Sequence, residues 1–157
     1  VDRRAKYLVL PLDSGEVLSE NVAVLAYVAS LDKSGKLGPA PGTEGCYRLL
    51  EWLAYLSSEV HKNFSPLFRD YLDEGARAAF KENLAKRLGY IEQTLGDKPF
   101  LMGENFTVAD AYLFVMLGWR NRVGVDISGL PKLSAFYERV RARPSVHQAH
   151  KIEGTPG

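Results

Sequence analysis

The chain has 157 residues, with 20 Lys+Arg against 19 Asp+Glu and a formal net charge of +1. That length holds one domain, or one domain with a piece of another. A composition 46% hydrophobic and 25% charged excludes a disordered chain, and the near-neutral balance argues against a dominant nucleic-acid or polybasic membrane partner. A single cysteine, Cys46, excludes an intrachain disulfide framework, and three histidines leave little material for a metal centre. No apolar run approaches the ~18 residues of a membrane span, and the basic-apolar start is cut short by Pro11, Asp13 and Gly15 before a signal peptide is complete. A soluble protein of a reducing compartment is the expectation.

Lys6 to Leu12 (KYLVLPL) is apolar and β-prone, Asp13-Ser14-Gly15 is a turn, and Glu16-Val17-Leu18 can pair back as a second short strand. Pro11 cannot donate to a ladder, which puts this stretch at an edge or a strand end. Ser19 is the expected N-cap of a helix whose first turn carries Glu20, with Val24, Leu25, Val28 and Leu31 at helical spacing and an end by Asp32. Lys33 to Gly42 (KSGKLGPAPG) has no period and reads as a linker. From Thr43 a long stripe follows, through Cys46, Leu49, Leu50, Leu53, Leu56, Val60 and Phe64, closed by Ser65-Pro66. A second long helix from Asp73 carries Ala76, Ala79, Phe80, Leu84, Leu88, Ile91 and Leu95 and stops at Gly96. After the loop Asp97 to Phe106, a helix opening at Thr107 is apolar nearly all round and is expected at the centre of a bundle. Pro131 opens a further helix with Leu133, Phe136, Tyr137 and Val140 inward; Arg143-Pro144 stops it, and a short helix Ser145–His150 precedes the tail. The expected architecture is mostly α: a β-β-α piece at 1–33, a linker at 34–42 and an all-helical domain at 43–157.

Phe106-Thr107-Val108-Ala109-Asp110 is the sharpest local signature. Thr107 is a good N-cap, Asp110 three residues on can reach back to the Thr107 N–H, and Phe106 can staple the entry. A carboxylate in so apolar a helix needs such partners. Catalysis by Asp110 is the rival reading; a structural capping box of Thr107 and Asp110 is preferred. Asp110→Ala should then cost ~1–2 kcal/mol or more of stability.

With these stretches in view, the sequence resembles a glutathione S-transferase of the bacterial beta-like group. The resemblance rests on Asp13–Ala29 (DSGEVLSENVAVLAYVA), Trp52–Phe68 (WLAYLSSEVHKNFSPLF), Phe106–Phe114 (FTVADAYLF) and Pro131–Pro144, and covers nearly the whole chain in order. It implies an incomplete thioredoxin-like β-β-α segment followed by the helical C-terminal domain of that family. It further implies glutathione as co-substrate, a hydrophobic electrophile and a homodimer; the composition already points to no metal and to the cytoplasm. Carried over by position, Tyr7, Glu20 and Asn21 would bind glutathione. A helix N-terminus suits its carboxylate, and Glu20 suits its ammonium. His61 and Lys62 would act on the thiol, His61 by donating or accepting a proton and Lys62 by charge. A surface His-Lys pair near a helix C-terminus is the plainer alternative for those two.

The sequence also departs from the family pattern. The strand-helix unit that carries the family's sulfur-contacting residue would precede Val1. Cys46 does not match the family cysteine, and Tyr7-Leu8 stands where a Val-Pro is usual, Leu8 being unsuited to a cis peptide. Ala54 replaces a residue that is often polar. These departures keep a second reading open, a non-catalytic transferase-fold module for binding or dimerisation. Most of Trp52, Tyr55, Tyr112, Phe114 and Trp119 are read as core or interface packing, with some aromatic lining of an electrophile pocket expected but assigned to no one residue. Arg120, Arg122 and Arg139 to Arg143 are read as solvated faces and helix-end partners, and His147 with His150 does not make a metal site.

Overall fold

The computed structural model describes residues 9–154. Leu10–Pro11 (β1) pairs antiparallel with Val17–Leu18 (β2), with Leu10 opposite Leu18 and Pro11 opposite Val17. The intervening turn is closed by Leu12 N–H on the Glu16 carbonyl at 2.8 Å and Gly15 N–H on Leu12 at 2.9 Å. Gly15 takes a φ of 87°, which an L side chain rarely adopts. Helix α1 is Asn21–Leu31. Its N-cap is Glu20 and not Ser19, and no side chain caps it. The reason is backbone geometry: Glu20 sits at φ 68°, ψ 121°, which swings the chain into the helix one residue later than the hydroxyl would. The inward face also shifts. Val24 and Ala29 are buried, whereas Leu31 is exposed.

The Gly- and Pro-rich segment that follows is pinned at several points. The Asp32 carboxylate accepts from the Ser34 N–H, the Ser34 hydroxyl and the Leu37 N–H at 2.6–2.9 Å. The Leu37 carbonyl accepts from Val108 N–H at 3.0 Å. Gly38 is buried where a Cβ would stand 2.7 Å from a Leu49 methyl, so α1 and the next helix meet across a residue without a side chain.

Helix α2 (Glu44–Tyr55) begins under the Thr43 hydroxyl, which accepts from Cys46 N–H. It runs without a break into a wider π turn at Leu56–His61, a short α3 at Lys62–Phe64 and a 3₁₀ turn at Ser65–Phe68. The sequence stripe holds along this length, with Leu49, Leu53, Leu56, Val60 and Phe64 all buried. The π widening is an addition that periodicity does not reveal. Asn63 Nδ2 donates to the Glu59 carbonyl at 2.6 Å, an extra donor where the chain leaves the ordinary helical ladder.

Helix α4 (Glu74–Leu95) starts under Asp73, whose carboxylate accepts from Ala76 N–H at 2.9 Å, and ends at Gly96 with φ 55°. Helix α5 (Val108–Gly118) is the centre: Val108, Ala109, Tyr112, Leu113, Met116 and Leu117 are all buried. A short α6 (Arg120–Val123) follows, set off from α5 at Trp119. Helix α7 (Pro131–Arg141) buries Leu133, Phe136 and Val140, and α8 (Pro144–Glu153) is longer than the expected Ser145–His150. Helices α1, α2, the π turn and α7 all pack on α5. Each fully buried Leu, Ile or Phe in this bundle contributes ~1.5–3 kcal/mol by area removed from water. No helix among the described residues is long and apolar enough to cross a membrane.

The capping box at Thr107 and Asp110 is present, and the carboxylate does more than cap. It accepts from Thr107 N–H at 2.7 Å, from the Thr107 hydroxyl at 2.9 Å and from Leu101 N–H at 2.8 Å. It thereby ties the 97–106 loop to the start of α5. Burial pushes the Asp110 carboxyl above its usual range, while these donors pull it down. Phe106, just before the cap, packs edge-on to Phe100 and lies beneath the Arg143 guanidinium at 4.0 Å. Arg143 is thus half-buried, not on a solvated face.

Candidate functional site

Two stretches about 40 residues apart in sequence, around Glu20 and around His61, reach the same place because α1 and the π turn both lean on α5. Between them lies a cleft of about 810 Å³. Glu20 and Asn21 form one wall; His61 and Lys62 with Ser57, Ser58 and Ser65 form the other. Four of the residues singled out from sequence therefore share one cavity. Tyr7, the fifth, lies outside the described residues.

Each wall has a local cause. Glu20 is the one non-glycine residue with positive φ among those described, and such a conformation costs about 1–3 kcal/mol unless its surroundings enforce it. Strain of this kind gathers at ligand clamps. No side chain caps α1, so the amides of its first turn are left to water or a ligand, and the helix dipole makes that spot favourable to an anion. The carboxylate of Glu20 stands beside them, exposed. One small surface thus offers donors for a carboxylate and an acceptor for an ammonium.

On the opposite wall, His61 closes the π turn, half-buried. Its Nδ1 lies 2.7 Å from the Tyr112 hydroxyl. The Trp119 ring meets it edge-on at 5.0 Å and Tyr112 at 5.8 Å. Burial holds the imidazole below its usual 6.5, so the neutral ring dominates at neutral pH. Lys62, next in sequence, is exposed beside the cleft. Phe68, Arg69 and Trp119 complete the lining. Trp119 gathers Phe64, Phe68 and His61 within 5.0–5.8 Å, an aromatic floor suited to an apolar group. Arg77 of α4 holds the Phe68–Arg69 corner, donating to the Leu67 carbonyl at 2.8 Å and to the Arg69 carbonyl at 3.0 Å.

Of the aromatics that the sequence leaves as packing or as an unassigned pocket lining, the structure puts Tyr112 and Trp119 in the cleft. A signal existed for Tyr112. A tyrosine in a helix of aliphatic neighbours brings a hydroxyl that needs a partner when buried. Trp52 and Tyr55 do pack away from the cleft, with Tyr90, at centroid distances of 5.0–6.3 Å. Arg120 caps the end of α5 through the Leu117 carbonyl at 2.9 Å and covers the Tyr137 ring at 4.0 Å. Cys46 is a free thiol on α2 and is not part of the cleft lining. Among the described residues no three His, Cys, Asp or Glu side chains converge as a metal centre requires.

This geometry coincides with matches to known proteins. Residues 48–144 match the family model described as glutathione S-transferase, C-terminal domain. A glutathione S-transferase of Escherichia coli, GstA, is 36% identical over 154 residues, spanning 98% of this chain and 77% of that protein. The beta class enzyme of Sphingomonas chungbukensis has a solved structure that superposes with a TM-score of 0.88 at 44% identity, covering 94% of this chain and 74% of that one. A sphingomonad glutathione S-transferase, solved in complex with glutathione, gives a TM-score of 0.88 at 42% identity over the same shares. The chain belongs to the glutathione S-transferase family, within its bacterial beta-like group.

Proposed function

We propose that this protein binds glutathione in the cleft between α1 and the π turn and conjugates it, through its sulfur, to hydrophobic electrophiles. The observation that carries the reading is the meeting of Glu20 and Asn21 with His61 and Lys62 on one cavity of about 810 Å³. The γ-glutamyl end of the tripeptide carries a carboxylate and an ammonium on one carbon. The open amides of α1 take the first and Glu20 takes the second, with the Asn21 amide beside them. That leaves the cysteinyl sulfur for the far wall, where Lys62 favours a thiolate by charge and His61 reaches it by hydrogen bonding. The S–H bond breaks with its electron pair kept on sulfur and its proton passed to water. The thiolate then forms a C–S bond to the electrophile, whose leaving group departs with its bonding pair. The aromatic floor of Phe68 and Trp119 holds the apolar electrophile within reach, and juxtaposition supplies much of the acceleration. A relative solved with glutathione at 42% identity supports the choice of ligand.

The boundary between an N-terminal unit at 1–33 and a helical domain at 43–157, with 34–42 joining them, belongs to the same proposal. So do a homodimer, with the Trp52, Tyr55 and Tyr90 cluster as its contact face, and residence in the cytoplasm. The test is a conjugation assay with glutathione and an aryl halide. The wild-type protein should turn over, and Lys62→Ala should lower kcat/KM at neutral pH by about tenfold, the effect of one lost charge-assisted contact. Wild-type turnover equal to the uncatalysed rate would overturn the enzyme reading in favour of a binding module.

A further inference from the structure

The aromatic end of the cleft carries charge of one sign. Phe68 and Trp119 line it, their rings meeting edge-on with centroids 5.6 Å apart. Arg69, next after Phe68, also lines the cleft and is exposed. Arg122 arrives from α6, three residues beyond Trp119, and is exposed as well. Its guanidinium carbon stands 5.6 Å from the centre of the Phe68 ring, within the range of a cation–π contact. The backbone fixes both arginines. Arg77 holds the carbonyls of Leu67 and Arg69, and Arg122 N–H donates to the Trp119 carbonyl at 3.1 Å. One tryptophan thus floors the cleft and carries the turn that brings Arg122 over Phe68.

Neither arginine is neutralised within the described residues. The cations paired there are Arg48, Lys86, Arg87, Lys132 and Arg141. Glu20 is the one carboxylate in the cleft lining, and it stands on the opposite wall, where the proposed reading gives it an ammonium. Asp70, beside Arg69 in sequence, is not part of that lining. Two guanidinium groups from separate elements therefore converge, unpaired, on the ring where an arene would rest. Their planar forks match a carboxylate.

We propose that the electrophiles this cleft prefers are aromatic rings bearing an anionic group, the ring lying on Phe68 and Trp119 and the anion meeting Arg69 and Arg122. The inference rests on the proposed glutathione reading and names the class of its second substrate. The ring supplies the apolar part that the floor requires. Lys62 is left for the sulfur. The bond changes are those of the conjugation itself: the thiolate forms a C–S bond to a ring carbon, and the halide leaves with its bonding pair. The anionic substituent takes no part in the bond changes and stays on the product. Arg122 is then a specificity determinant, a role its place near a helix end does not reveal in the sequence.

The first test needs no glutathione. Dinitrobenzoate and dinitrobenzene share a ring and its nitro groups, differ in charge and have no halide to lose. In calorimetric titration the wild-type protein should bind the benzoate about fivefold more tightly at low salt, the worth of an exposed charge pair. That margin should shrink at high salt. The double variant Arg69→Gln, Arg122→Gln keeps much of both stems and loses both charges, and it should bind the two compounds alike. Arg122→Lys should keep most of the wild-type margin. The second test is conjugation of chlorodinitrobenzoate and of chlorodinitrobenzene, each rate divided by its uncatalysed rate. The ratio of kcat/KM, anionic over neutral, should fall about fivefold in the double variant, mainly through KM. Equal binding of the two compounds by the wild type, or a margin that survives in the double variant, would overturn the anion assignment. Conjugation of both halides with no preference for the anionic one would overturn it and leave the proposed function standing. A preference for dinitrobenzoate with conjugation of neither halide would support the anion site and overturn the proposed function.

Discussion

Asp110 shows how one side chain can hold two elements. Its carboxylate takes three donors at 2.7–2.9 Å, from the Thr107 N–H and hydroxyl and from Leu101 N–H, all in a site shut off from water. Asp110→Ala leaves those donors buried and unpaired, at about 1–3 kcal/mol each before relaxation. Urea denaturation should show a loss of at least ~2 kcal/mol with an unchanged slope. His61 gives a residue-scale prediction with a sign. Burial lowers its pKa from 6.5, so between the folded value and 6.5 the unfolded chain binds more protons. Stability from this group is whole above 6.5 and is lost as pH falls through the folded value. Denaturation midpoints between about pH 8 and pH 5 should fall more steeply for the wild type than for His61→Gln. The capping role of Asp110 was legible because Thr-x-x-Asp before an apolar run has few other meanings. Its bond to Leu101 was not, since Leu101 stands nine positions earlier, in the irregular loop before α5.

Among the elements, α7 starts without a side-chain cap of its own. Leu130 stands at the N-cap and Pro131 follows, with no N–H to satisfy. The next two amides are met from α4: Glu92 accepts from Lys132 N–H at 3.0 Å and from Leu133 N–H at 2.7 Å, across 40 and 41 residues. A carboxylate there also suits the helix dipole. Glu92→Ala should cost ~1–2 kcal/mol in urea denaturation, as lost caps do. Glu92→Gln, which keeps an acceptor but loses the charge, should cost less. An unchanged midpoint in Glu92→Ala would reject the cap. Nothing in the sequence pointed to this partnership, because a glutamate on a helix face looks the same whether it meets water or a neighbouring helix. The π turn was hidden for a related reason. Leu56, Val60 and Phe64 keep ordinary helical spacing, and the wider turn is set by packing on α5. By contrast, the α5 centre was plain from a run apolar on every side, and the start of α4 from Asp73 before it.

At the scale of the whole molecule, the bundle sets α1 against the π turn, so a strained Glu20 and an uncapped helix face His61 and Lys62 across one cavity. The residues of that cavity were legible only through family resemblance. A Ser-Glu-Asn and a His-Lys carry no distinctive spacing, and their meeting depends on tertiary packing. An aromatic lining is an expectation the resemblance carries, but which rings form it could not be read, since a Trp next to Gly118 looks like core. Calorimetric titration with glutathione, and with its analogue lacking the γ-glutamyl amino group, against wild type and Glu20→Ala probes both the cavity and its polarity. Wild type should bind glutathione at millimolar concentration or tighter. Glu20→Ala should weaken that binding about tenfold or more, the worth of a charge-assisted contact, while the two proteins bind the analogue alike. No heat with the wild type, or a Glu20→Ala affinity equal to it, would contradict the assignment of this cleft.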